Sequence, residues 1–110
     1  MANAFKNKTQ REVGTALTAI GSYTVGGSTE TTVIGLTIAN TTTVAIEVDA
    51  TLNDGTNDFY IVKDAPVPVG GTLVIVGGDQ KIVLMPTDSI KIKSDTAASA
   101  DVIMSILEIS

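Results

Sequence analysis

Apolar and polar residues alternate one by one through much of this chain, most cleanly from Val44 to Leu52. Val44, Ile46, Val48, Ala50 and Leu52 fall on one side and Glu47, Asp49 and Thr51 on the other, the period-two pattern of a strand with one face in a core and one in water. Similar stretches at about 13 to 24, 32 to 39, 58 to 64, 72 to 76, 81 to 85, 89 to 94 and 101 to 109 raise the expectation to seven or eight short strands. Gly, Pro, Asn and Asp punctuate them at the spacing of a sandwich or barrel. Asn53-Asp54-Gly55-Thr56-Asn57 reads as a hairpin turn, because Gly prefers and Asp and Asn tolerate the positive φ that tight turns require. Gly77-Gly78-Asp79-Gln80 reads the same way. Pro66 and Pro68 cannot donate ladder hydrogen bonds, so Ala65 to Gly71 is expected to be an extended crossover between sheets. No helix is expected. The fold class is all-β, an antiparallel β-sandwich of jelly-roll or Ig-like type, with residues 12–110 as one domain and residues 1–11 as an N-terminal arm.

The last strand departs from clean alternation. Val102, Met104 and Ile106 lie on one face while Ile103, Leu107 and Ile109 lie on the other, so both faces call for burial. Such a strand is either central to the sandwich or covered by a neighbouring subunit. Val102, Met104, Ile106, Leu107 and Ile109 are therefore candidates for an oligomer or partner interface. The arm adds Phe5, its large apolar anchor, and the cations Lys6, Lys8 and Arg11. Thr29 to Thr32 and Thr41 to Thr43 are expected on strand edges that invite pairing with another chain.

Composition sharpens this picture. The chain has 110 residues, one domain's worth, and fills its core with Val, Ile, Leu and Ala, having two Phe, two Tyr and no Trp. It contains no Cys and no His, which removes disulfides, thiolate metal sites, the usual nitrogen ligand for zinc and the side chain best matched to proton transfer near neutral pH. Formal net charge is −5, yet Lys6, Lys8 and Arg11 all precede the first acid, Glu12, leaving an acidic body that repels phosphate backbones. No nucleic-acid partner is expected. The opening residues show no apolar stretch after their charges and no later segment approaches a membrane span, so no membrane partner is expected and the product should be cytoplasmic when made.

Motifs for chemistry are missing. There is no Gly-x-Ser-x-Gly elbow, Ser-x-x-Lys pair or phosphate-binding Gly-x-x-x-x-Gly-Lys pattern. Asp79 and Asp88 could form a carboxylate pair for glycoside hydrolysis, but each sits in ordinary turn sequence, and a sugar site would lack its aromatic platform. Asn53, Asp54, Asn57 and Asp58 supply hard oxygens for calcium without the spacing of an EF-hand loop, and a plain turn accounts for them. No catalytic residue, cofactor or metal ligand is assigned, which leaves binding and assembly. A calcium- or carbohydrate-binding surface module built on Asn53 to Asp58 is the alternative from another class.

Tyr60-Ile61-Val62-Lys63-Asp64-Ala65-Pro66-Val67-Pro68-Val69-Gly70-Gly71, then Gly77-Gly78-Asp79-Gln80-Lys81 and the ending Ser105-Ile106-Leu107-Glu108-Ile109, resemble small virion structural proteins of tailed phages, especially those infecting cyanobacteria and other marine bacteria. Phe5-Lys6-Asn7, Ile34-Gly35-Leu36 and Ala39-Asn40-Thr41 share the likeness, which spans nearly the whole chain. The resemblance implies a non-enzymatic virion component in symmetric copies, a trimer or hexamer among the options. Its implied partners are other copies of itself and virion proteins such as the major capsid protein or tail proteins. Capsid decoration or cement is the leading implied role, and a tail, neck or baseplate component the alternative.

Overall fold

The computed structural model describes residues 3–77 and 79–110, and those residues form a β-sandwich. Its strands are β1 (Asn3–Val13), β2 (Thr18–Ala19), β3 (Glu30–Asn40), β4 (Ile46–Asn53), β5 (Asp58–Val67), β6 (Thr72–Val76), β7 (Ile82–Leu84), β8 (Ser89–Ser94) and β9 (Ala100–Ile109). A first sheet runs β1-β9-β3-β6, with β7 also paired to β3, and a second runs β2-β8-β4-β5. All pairs are antiparallel. The pairing is nested: first strand with last, β2 with β8, β3 with β6 and β7, β4 with β5 across a tight turn. A long hairpin rolled up on itself gives this order, which makes the sandwich a jelly roll.

β-branched residues account for the strands and their alternation for the core. Ile46, Val48, Ala50, Ile90 and Ile92 of the second sheet meet Val33, Leu36, Ile38, Val102, Met104 and Ile106 of the first, all of them buried. Each large side chain removed from water contributes about 1.5–3 kcal/mol.

Two polar devices close this core. Asn40 is buried and donates from Nδ2 to the carbonyls of Val44 (2.8 Å) and Val67 (3.0 Å), while its Oδ1 accepts the Thr42 amide at 2.8 Å. It thereby clips two passages between the sheets, β3 to β4 and β5 to β6. Between β1 and β8 a 3-10 turn at Ile20–Ser22 tucks under β1, where the Gly21 amide donates to Gln10 Oε1 at 3.2 Å. Gly21 has φ +58, and a Cβ there would stand 3.2 Å from the Thr9 carbonyl oxygen, so glycine answers both demands.

Several expectations are corrected. Beyond Val13, which ends β1, the stretch 13 to 24 forms only the two-residue β2 and the 3-10 turn. β5 continues through Pro66 to Val67, so the crossover is confined to Pro68–Gly71, where the Gly71 amide donates to the Pro68 carbonyl. Proline is tolerated because β5 is an edge strand. Gly77 to Gln80 does not join a hairpin, since β6 and β7 both pair with β3 rather than with each other; Gly78 itself lies outside the described residues. The Thr-rich segments are not edges: β3 lies between β9 and β6/β7, burying Thr31, and Thr41–Thr43 is a loop. On β4, Asp49 and Thr51 are buried rather than wet, and Val44 is exposed. β4 is central in its sheet, and Asp49 is satisfied there by the Asp64 amide (2.7 Å) and by Lys93, 3.7 Å away.

Candidate interaction surface

The two outer faces of the sandwich differ in chemistry. On the second sheet the outward positions include Glu47, Asp49, Asp64, Asp95 and Lys93, which line a hollow of about 220 Å³ together with Thr15 and Ser94. Asp49 is engaged there as described, and Asp95 Oδ1 accepts the Glu47 amide at 3.2 Å. Among the described residues no group of three acidic side chains is placed to hold a metal ion.

The first sheet presents an apolar face. Directly opposed residues of neighbouring strands share a face, so the register aligns Phe5, Leu107, Thr32 and Val83 in one outward row and Thr9, Ile103, Thr37 and Val74 in another. Phe5, Val74, Val83 and Ile103 are exposed by 77%, 61%, 57% and 54%. Between the rows stand Asn7 and Ser105, and the ladder bulges at Ile34–Gly35. Small residues in that row leave a shallow hollow of about 360 Å³, lined by Phe5, Lys6, Asn7, Ile34, Ser105 and Ile106.

The candidate residues separate into two groups. Val102, Met104 and Ile106 are 1%, 0% and 0% exposed and belong to the core, so they are withdrawn as interface residues: β9 is the strand between β1 and β3, and its inward row packs on the second sheet. Leu107 and Ile109 lie on the outward row, half-buried. Ile103, the most exposed residue of that row, shares its parity with Leu107 and Ile109, a signal the sequence itself carries. Val74, Val83 and Ile34 could not be grouped with it from sequence, because only the sheet order brings β3, β6 and β7 beside β9.

Residues 3–11, expected as an arm, run in β1 and pair along β9 of the same chain; residues 1 and 2 lie outside the described residues. Phe5 and Arg11 are exposed. Lys6 Nζ pairs with Glu108 Oε1 at 2.8 Å, and Lys8 Nζ stands 5.1 Å from the Tyr23 ring centroid. Tyr23 donates its phenolic proton to Glu108 Oε2 at 2.6 Å and lies 2.8 Å from Thr31 Oγ1. Burial and the Glu108 bond push the Tyr23 hydroxyl up to about 12, while the Lys6 and Tyr23 donors hold the Glu108 carboxyl below the usual carboxylate range.

At Asn53–Asp58 the oxygens proposed for calcium are bonded within the turn. Asn53 Oδ1 accepts the Gly55 amide, Asp54 Oδ1 the amides of Thr56 and Asn57, and Asp58 Oδ1 the Asn53 Nδ2 and Thr51 hydroxyl donors. The amides of Asn57 and Thr56 hold the Asp54 carboxyl below its ordinary value.

No protein-family model matches the chain, and no curated protein matches it in sequence. Solved structures share its fold, among them the following two. The chain superposes over its full length on 94% of a chain in the acidic stable capsid structure of Helicobacter pylori bacteriophage KHP30, with TM-score 0.60 and 7% identity. It also superposes, over 98% of its length and 88% of the other chain, on a protein of the disulfide-linked pili that form Bacillus endospore appendages, with TM-score 0.52 and 12% identity. At these identities the likeness is one of fold. Lacking cysteine, this chain has no disulfide link available to it.

Proposed function

We propose that this chain is a non-enzymatic structural subunit of a bacteriophage particle, present in symmetric copies, that decorates the capsid by seating the outer face of its first sheet on the shell. The observation that carries the reading is the contrast between the two outer faces. One displays Phe5, Ile103, Val74 and Val83 around a hollow floored by small residues, and the other displays charge beside the exposed ring of Tyr60. A face of that kind, held rigid by a core on its far side, suits a surface to be covered by protein. The whole-length fold likeness to a chain of a phage capsid structure supports the reading, as does the resemblance to small virion proteins of tailed and marine phages. Many copies on a lattice gain strength from multivalency, so a modest contact per copy suffices.

A second reading, a tail, neck or baseplate component, draws on the fold likeness to a pilus protein, because head-to-tail contacts of one subunit generate rings or filaments. Antibody labelling of particles that carry the chain, viewed by electron microscopy, separates the two. Label at regular lattice positions on the capsid supports decoration, label confined to the tail or neck supports the second reading, and particles free of label overturn both. In the decorating role, replacing Ile103 and Val83 by Thr should strip the subunit from the capsid without unfolding it.

A further inference from the structure

Edges of a sandwich are where another chain can continue its sheets, and most edges here are blunted. β5 carries irregular register, Asp64 at φ +52 and Pro66. β6 and β7 share one side of the first sheet as segments of five and three residues. β2 has two residues. β1 is different: Asn3–Gln10 pair without a break with Ile109–Val102, and the register shifts only after Gln10. Among the described residues the side of β1 away from β9 has no strand partner. The 3-10 turn lies against Lys8–Gln10, with Gly21 beside the Thr9 backbone and bonded to Gln10, so the open stretch is Asn3–Asn7, roughly 17 Å at about 3.4 Å per residue, enough for a short added strand.

The side chains along this edge specify what could join it. Lys6 and Lys8 point to one face of β1, and Phe5 and Thr9 to the other. Two β1 strands pairing about a two-fold axis would set the lysines of each copy on the same face as those of the other, and like charges so placed destabilise a ladder. The ammonium of Lys6 is already on Glu108, yet the side chain is 47% exposed and has further donors to offer. An incoming strand with carboxylates on its inward row would meet Lys6 and Lys8, and apolar residues on its outward row would extend the patch begun by Phe5.

We propose that the free edge of β1 accepts, by antiparallel strand addition, an extended segment of a partner protein in which carboxylates alternate with apolar residues. This deepens the assembly reading by naming the chemistry of the partner, and it rests on that reading for the partner being a particle protein.

The test is an amide NMR titration of the intact chain with a synthetic octapeptide alternating valine and glutamate, beside its valine and lysine counterpart. The glutamate peptide should move amides within residues 3–10 and bind at least about tenfold more tightly than the lysine peptide, a preference that weakens with salt. The charge-reversed double variant Lys6→Glu, Lys8→Glu, checked by its thermal melt, should invert the preference. Should it not fold, Lys6→Gln, Lys8→Gln should make the two peptides equal. Equal binding of both peptides to the unaltered chain, shifts centred away from β1, no binding at all, or a preference unchanged in the variants would overturn the proposal. Shifts in β1 on raising the concentration of the chain alone would also overturn it, by assigning the edge to a second copy. None of these outcomes alters where antibody labels the particle, so the two readings fail separately.

Discussion

Tyr23 and Glu108, 85 positions apart in the chain, meet at 2.6 Å, the phenol donating to a carboxylate that is also bound by Lys6. The contact ties the loop after β2 to the last strand and to β1. Its stability should depend on pH from both sides. The Glu108 carboxyl is held low in the folded state, so its contribution is present above the unfolded value of about 4.3 and is lost as pH falls through the folded value. The Tyr23 hydroxyl is raised to about 12, so its contribution is complete below about 10 and is lost as pH rises through the folded value. Melting temperature against pH should show Glu108→Gln flattening the acid limb and Tyr23→Phe the alkaline one. Tyr23→Phe should also cost about 2 kcal/mol at neutral pH through the lost bond to a charged acceptor.

Parity on β9 separates folding from assembly. Ile106→Ala should cost about 2–5 kcal/mol in denaturant unfolding, because a fully buried side chain leaves a cavity. Ile103→Ala, three residues earlier on the outward row, should change stability by no more than about 0.5 kcal/mol. It should instead weaken association with particles in a co-sedimentation assay.

Asn40 offers a sharper test, since its Nδ2 serves two carbonyl oxygens in a buried position. Asn40→Asp would turn an acceptor toward those acceptors, and as a carboxylate it would be a buried charge facing two carbonyl oxygens, with the Thr42 donors but no counter-ion. The variant should be largely unfolded by circular dichroism at neutral pH and regain structure as the carboxyl is protonated, opposite in direction to the acid response expected from Glu108.

The β4–β5 turn depends on its glycine. Gly55 has φ +97, where a side chain is strained whatever the space around it. Gly55→Ala should lower stability by about 1–3 kcal/mol, seen as a shift in the urea midpoint at unchanged slope.

Much of this architecture was legible before folding. Thr72–Val76 and Ser89–Ser94 form strands at the positions their alternation assigns, and Asp54-Gly55 turns the chain where turn chemistry places it. Local rules sufficed because φ preference and period-two burial are properties of neighbours in the chain. The stretch 13 to 24 misled for the opposite reason: Ile20 and Tyr23 are buried, but from a 3-10 turn and the loop after it, which alternation cannot distinguish from a strand.

By itself, then, the sequence determined that this chain is all β, that His and Cys chemistry is closed to it, and which residues of β9 share a face. Which of those faces points inward was a matter of tertiary structure. Val102, Met104 and Ile106 are as apolar as Ile103, Leu107 and Ile109, and only the closure of the second sheet over one row makes it core. The same holds for β1, whose residues look like a loose arm until β9 lies beside them. Strand pairing is a relation between distant segments, and the side left without a partner is defined only when every other pair has been made.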